Sequence, residues 1–349
     1  MLQQPITILK HKFPSLQNDT FIKFSIKSVI TAQNFIRDNT FSSSVSLREV
    51  RRYVILFEWF ILFLNDNQDL FKEKLEEYKV SIENCSVLLS IYICYFIRIT
   101  DKKLRKEFSE LKISNINFLE LIKKIQRKVI DNFTIEKGIA KNRILLENLF
   151  ALFVCVNNKI PIIICGKPGC SKSLSIKLID IAMKGEKSSN SFFKKLPSIK
   201  ITPYQGSITS TSQGVLEAFN IARTKIKDNN EKLISILYFD EMGLAEISPN
   251  NPLKVMHSQL EYDENKEKVA FVGISNWTLD ASKMNRGIYL SIPVPDEQDL
   301  IETAIKIAES YSNSLNVNYE KEISELAQSY YEYKEYLSKQ EEKKKIFMD

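Results

Sequence analysis

Two groups of residues in this sequence have the types and spacing for phosphate chemistry. The first is GKPGCSKS, residues 166–173. It follows the pattern G-x-x-x-x-G-K-[ST] except at one position. In that pattern backbone N–H groups cradle a phosphate chain, the lysine reaches its terminal phosphates, and the hydroxyl is a ligand for Mg²⁺. Gly166 and Gly169 permit the tight turn here, and Lys167, Pro168 and Cys170 occupy the variable positions of the loop. Lys172 is the candidate phosphate lysine and Ser173 the candidate Mg²⁺ ligand. Ser171 stands where the pattern asks for a second glycine. Serine is small and the position opens a helix, so a right-handed backbone is expected there.

The second group lies about 70 residues further on. LISILYFDE ends an apolar run in two carboxylates, Asp240 and Glu241. An aspartate there is suited to hold Mg²⁺, and an adjacent glutamate to orient and activate a water. A solvated acidic turn is the plainer alternative. After the next apolar run, VAFVGIS, comes Asn276, whose amide is suited to align that water; an ordinary turn asparagine competes with this. Ten residues later Arg286 precedes the last apolar run. It is a candidate to stabilise charge in a neighbour's site, or else a surface arginine.

These groups need a scaffold that places loops together. Short apolar runs at 160–165, 199–204, 233–239, 269–275 and 288–294 alternate with helical patterns. That alternation predicts a parallel sheet with crossover helices. The phosphate loop falls between the first run and a helix, where N–H groups and the helix dipole favour an anion. The upstream half reads differently. All nine glycines lie at or after Gly138, and no proline occurs between Pro14 and Pro161. Almost without turn punctuation, it predicts helix after helix, with segments at 69–79, 81–97, 102–111 and 141–156 and a less regular polar stretch at 114–137. Ser46 followed by Glu49 predicts a capping box before a long helix.

Composition narrows the classes. With 44% hydrophobic and 26% charged residues over 349 positions, the chain is globular and long enough for more than one unit. A net charge of +6 with mixed signs does not suggest a nucleic-acid partner. Five cysteines without a C-x-x-C pair suggest neither a disulfide framework nor a zinc site, so a reducing, cytoplasmic location is expected. Cys170 at a helix start is a candidate oxidisable thiol, though a small loop residue is the simpler reading. The apolar runs at 53–64 and 87–97 are too short to span a bilayer and predict buried helices; no transmembrane segment is expected. His257 is expected on a helix face, and Trp277 beneath the turn that carries Asn276.

The spacings resemble an AAA+ module. Residues 166–173 correspond to Walker A, Asp240 and Glu241 to Walker B, Asn276 to sensor 1 and Arg286 to the arginine-finger position. The stretches GKPGCSKSLSIKLI, TPYQGSITSTSQGV, DEMGLAEISPNNPLKVMHSQLE and GISNWTLDASKMNRGI are similar to the mysterin family, giant RING-finger AAA+ proteins that are E3 ubiquitin ligases. The resemblance implies that serine at 171 is a family trait. It also implies that Arg48 sits at a sensor 2 position in the lid of a preceding module. The cysteine- and histidine-rich RING and the module's own complete lid motif are not found, so the sequence is expected to be one piece of a longer product.

The expected architecture is α/β: an AAA+ P-loop core at 141–296 with a five-stranded parallel sheet in three αβα layers. An all-α region at 1–140 precedes it, and a truncated helical lid at 297–349 follows. The expected activity is ATP binding and hydrolysis with Mg²⁺, among neighbouring AAA+ modules in a ring linked to the ubiquitin system. A module that holds ATP without turnover and braces the ring is the competing expectation. A small-molecule kinase fits the acidic pair, Asn276 and Arg286 less well.

Overall fold

The computed structural model describes residues 19–40, 45–111, 113, 116–227, 232–261, 267–311 and 319–346. The opening 18 residues and the end of the lysine-rich tail, 347–349, lie outside them.

The punctuation-poor half is helical throughout its described part. It contains α1 (Asp19–Asn39), α2 (Leu47–Asp66), α3 (Gln68–Glu77), α4 (Ile82–Cys94), α5 (Lys102–Ser109), α6 (Phe118–Ile130) and α7 (Arg143–Asn157). The start of α2 is the expected capping box: the Ser46 side chain accepts from the helix backbone and Glu49 accepts from the Ser46 N–H at 2.6 Å. Glu49 is fully buried, and its carboxylate also takes Arg52 at 2.7 Å and Arg98 at 3.8 Å. The apolar run at 87–97 falls in α4 and the 3₁₀ turn after it, where every residue from Cys85 to Ile97 is buried. Among the described residues no single helix is long and apolar enough to cross a membrane. The polar stretch at 114–137 contains α6, which sequence reading left irregular. Its Leu121, Ile122, Ile125 and Val129 recur at helical spacing and are buried, so the charged face had masked an amphipathic helix.

From residue 162 strands and helices alternate: β1 (Ile162–Cys165), α8 (Lys172–Ala182), α9 (Ser191–Lys194), β2 (Ser198–Gln205), α10 (Ser212–Lys227), β3 (Leu233–Asp240), α11 (Met242–Glu246), α12 (Met256–Leu260), β4 (Ala270–Ser275), α13 (Ala281–Met284) and β5 (Ile288–Ser291). Two further helices follow, α14 (Glu297–Tyr311) and α15 (Glu320–Ile346). The helix expected after Asn251 is broken into a 3₁₀ turn and the short α12, because Pro252 opens it from a left-handed Asn251.

The sheet is all parallel, in the order β2-β3-β4-β1-β5. Its central strands are buried on both faces, as parallel strands under crossover helices must be. Side chains alternate across β1: Ile162 and Ile164 join a core shared with α2 to α8, while Ile163 and Cys165 join the core under α10 to α12. β2 is one of the two edge strands, half exposed and able to carry Pro203.

One apolar core runs from α1 through the helical region to β5. Polar ties cross it at the end of β5. Thr100 and Ser291 share a hydroxyl hydrogen bond of 2.5 Å, and Arg105 donates to the Ser291 carbonyl at 3.1 Å. Arg105 is buried, makes a two-point ion pair with Glu147 at 2.9 and 3.0 Å, and lies over the Phe96 ring. Burial opposes the charge on Arg105, and Glu147 more than restores it, so the guanidinium titrates above its ordinary value.

Candidate nucleotide-binding site

The sheet brings the loop, the acidic pair and Asn276 to one edge. β1 ends at Cys165, β3 at Asp240 and β4 at Ser275, and β1 and β3 both pair with β4. Strands running in the same direction deliver their carboxyl-end loops to the same rim, where open α/β sheets bind ligands. The start of the loop is pinned there: Gly166 N–H donates to the Ser275 carbonyl at 3.2 Å. A Cβ on Gly166 would stand 2.9 Å from Ile292, so only glycine fits.

Lys172 opens α8 and is buried. Its Nζ donates to the Gly166 carbonyl at 2.5 Å and to the Lys167 carbonyl at 2.9 Å, folded back over the loop. Burial lowers its pKa from the usual value, with Cys170, Cys165, Glu241 and Asp240 acting the other way. Gly169 has φ +83° and nothing near its missing Cβ, so the loop there is open. Behind the loop, Asn148 on α7 donates to the Cys170 carbonyl at 2.9 Å.

One expectation about the loop is corrected. Ser171 is left-handed, φ 56° and ψ 18°, and not right-handed. The turn needs the conformation glycine supplies freely, and serine holds it at a cost of about 1 kcal/mol. The backbone of α8 starts only at the next residue, which is why its opening position is not yet helical. Cys170 fits the simpler reading of a small, buried loop residue. Burial raises its pKa, outweighing the nearby Lys172 charge.

Asp240 closes β3 and accepts the Glu241 N–H at 2.9 Å. Glu241 is left-handed, φ 48°, which turns its carboxylate off the strand axis. Asn276 Nδ2 donates to both its oxygens, at 3.1 and 3.0 Å. Glu241 and Asn276 therefore touch, although 35 residues separate them. Tyr238 lies two residues before Asp240 on β3, and Ser173, Asp240 and Glu241 are the groups that bear on the titration of its hydroxyl. Burial first, then Asp240 and Glu241, keeps that phenol protonated. Sequence reading missed Tyr238; its signal was an alternation that puts it on the same strand face as Asp240.

Gly206 was also missed. At the end of β2, its N–H donates to the Asp240 carbonyl at 2.8 Å, and a Cβ would meet the Glu241 carbonyl oxygen at 2.4 Å. Gly206→Ala is therefore expected to push β2 off the acidic turn. A loss of about 1–3 kcal/mol in denaturant unfolding is the expected result.

A serine hydroxyl and an aspartate carboxylate, at Ser173 and Asp240, are of the chemistry that fits a hard, oxygen-seeking cation such as Mg²⁺. Among the described residues no group of three or more His, Cys, Asp or Glu would hold a metal. Trp277 is half exposed and lies against Gly243 of α11, beside the Asn276 turn.

Arg286 is not at this rim. It lies just before β5, and β5 runs level with β1 from Ile162↔Ile288 to Cys165↔Ser291. The loop follows the far end of those strands. Arg286 pairs with Glu261 at 2.6 Å and contacts His257 Nδ1. His257 on α12 thus serves as a neighbour of Arg286, outside the rim.

A parallel sheet in the order β2-β3-β4-β1-β5, with a phosphate-type loop after β1 and an acidic pair after β3, defines a P-loop module of the AAA+ class. Residues 138–299 match the RNF213 AAA domain, and the chain belongs to that family. It is 35% identical over 330 residues to the human E3 ubiquitin-protein ligase RNF213, covering 88% of this chain. To the zebrafish (Danio rerio) E3 ubiquitin-protein ligase rnf213-beta it is 35% identical over 315 residues, 84% of this chain. To the mouse (Mus musculus) E3 ubiquitin-protein ligase RNF213 it is 34% identical over 289 residues, 76% of this chain. The match covers 6% of the length of each of these relatives.

Proposed function

We propose that the core at 141–296 binds ATP with Mg²⁺ and hydrolyses it. We further propose that 1–140 includes the lid of a preceding module and 297–349 begins this module's own lid. The observation that carries the reading is the contact between Glu241 and Asn276 at the rim that also holds Lys172.

The roles follow from the geometry. Backbone N–H groups of Gly166, Lys167, Gly169, Cys170 and Ser171 would face the phosphate chain, with Pro168 shaping the loop between them. Lys172 would leave the two carbonyls it now holds for phosphate oxygens, which carry full charge and bind an ammonium more strongly. Ser173 and Asp240 would hold Mg²⁺. When bound, the cation neutralises charge between the terminal phosphates. Glu241 would accept the proton of the attacking water and Asn276 would align it. Arg286, at the opposite end of the sheet, would act on a neighbouring module's nucleotide. By family, the setting would be a ring of AAA+ modules connected to the ubiquitin system, in a cytoplasmic protein.

A second reading is that the module holds ATP without turnover and braces the ring. Both oxygens of Glu241 are already engaged by Asn276, which favours it. The first test is ATP affinity, by calorimetry on the full chain and on Lys172→Ala. We expect the variant to lose at least about tenfold in affinity, because a charged phosphate contact is removed. Equal affinity of the two proteins would sink both readings.

A further inference from the structure

Between the helical region and the segment that follows β5, a cavity of about 280 Å³ opens against α4, α5, α6 and α7. It is at the small end of ligand pockets, with room for one compact ring system. Its floor is apolar and aromatic. Tyr92, Phe96 and Ile122 are buried there, and the Tyr92 and Phe96 rings stack with centroids 5.2 Å apart. Among the described residues that line it there is none of the phosphate loop, and neither Asp240, Glu241 nor Asn276.

The charges around the cavity are unevenly matched. Arg105 is committed to Glu147 at 2.9 and 3.0 Å. Arg143 is committed to Asp299 at 2.6 Å and to Asp296 at 3.4 Å. Those pairs occupy both carboxylates of the lining, Glu147 and Asp296. Three lysines remain at the rim: Lys102 and Lys106 on α5, and Lys123 on α6. All three are exposed, and none has a carboxylate partner among the described residues. Lys102 lies over the Tyr331 ring, 5.9 Å from its centroid. Lys102 and Lys106 stand four apart on one helix face, where like charges repel. At the floor, the Tyr92 hydroxyl accepts from Gln126 Nε2 at 2.8 Å, and its own proton has no acceptor among the described residues. Burial first, and then Glu147, holds that phenol protonated, so it stays a donor. Unpaired ammonium groups at the rim and a free O–H at the floor both call for oxygen acceptors.

We propose that this cavity binds a small aromatic carboxylate that carries a second oxygen. The ring lies on Tyr92 and Phe96, the carboxylate meets Lys106 and Lys123 with Lys102 adding charge, and the second oxygen accepts the Tyr92 proton. Such an anion replaces repulsion among the lysines with attraction, and stacking on the aromatic floor fixes the plane of its ring. An apolar floor alone admits many molecules; the lysines select for charge and Tyr92 for the oxygen. The chemistry of the cavity does not depend on ATP binding at 166–173.

Hydroxynaphthoate is the probe, titrated into the full chain by calorimetry beside naphthoate and the neutral hydroxynaphthamide. We expect one saturable site for hydroxynaphthoate, weakening as salt rises. The amide lacks the charge and should bind at least about fivefold more weakly. Lys106→Gln and Lys123→Gln should each weaken the carboxylate about twofold to fivefold and leave the amide unchanged. Tyr92→Phe should abolish the preference for hydroxynaphthoate over naphthoate while naphthoate still binds, a result that loss of folding cannot mimic. Titration of the Lys172→Ala chain, or of the parent in excess ATP, should give the same affinity. Displacement by ATP would place the probe at the phosphate loop and overturn the proposal. So would absence of saturable binding, equal affinity for acid and amide, or indifference to all three substitutions. If the parent binds no ATP while hydroxynaphthoate behaves as expected, the function proposed above fails and this inference stands.

Discussion

In Glu241→Gln, ATP turnover should fall by about 10²–10⁴-fold while ATP affinity stays close to that of the parent. The substitution keeps the size and the hydrogen-bonding reach of the side chain, so Asn276 Nδ2 retains an acceptor. What is lost is the ability to accept a proton from water. Lys172, Ser173 and the loop backbone are untouched, so nucleotide should still bind. Steady-state phosphate release, measured beside nucleotide affinity, separates the two quantities. Parent turnover no higher than that of the variant would leave the bracing reading in place. Loss of affinity equal to the loss of turnover would assign Glu241 to binding. Asn276 gives the result a further edge. Its single amide group now spans both carboxylate oxygens, and a phosphate oxygen nearby would compete for that amide.

The largest stability effect is expected at Glu147. Glu147→Ala should lower the unfolding free energy by about 3–5 kcal/mol, since it strands a buried guanidinium. Arg105 would keep the Ile99 and Ser291 carbonyls and the Phe96 ring, but lose the carboxylate that offsets its burial. Arg105→Met with Glu147→Leu should recover most of the loss, because an apolar pair of similar volume carries no uncompensated charge. Chemical denaturation of the three variants decides this. A double variant as unstable as Glu147→Ala would mean that the carbonyl bonds of Arg105, and not the ion pair, hold the helical region to β5. The effect should also reach the nucleotide. Asn148 is the next residue on α7 and supports the Cys170 carbonyl, so a shifted helix end should weaken ATP binding too.

Much of this was legible from residue types. The apolar runs and their spacing fixed five strands and their helices, because a strand buried on both faces admits few polar residues. Lys172, Ser173, Asp240, Glu241 and Asn276 were found because each follows or ends such a run, and parallel strands carry those ends to one rim. The less legible features share a different cause. The α6 helix was masked by lysines on its outer face. Tyr238 looked like one more core aromatic, although it shares a strand face with Asp240. Gly206 looked like an ordinary turn residue until the Glu241 carbonyl stood against it.

The sequence by itself determined the class of fold and the chemistry available at the rim, since both depend on periodicity and on residue types next to strand ends. It also marked Ser171 as unusual. Only the tertiary structure decided that Ser171 is left-handed, because backbone geometry in a loop is imposed by the anchors at both ends and not by the residue's own preference. Only the tertiary structure decided that Asn276 touches Glu241, and that Arg48 and Arg286, 238 positions apart, meet on one carboxylate. Local preference acts over a few residues. Long-range pairs are selected by the packing of α2 against the sheet, which no short stretch of sequence encodes.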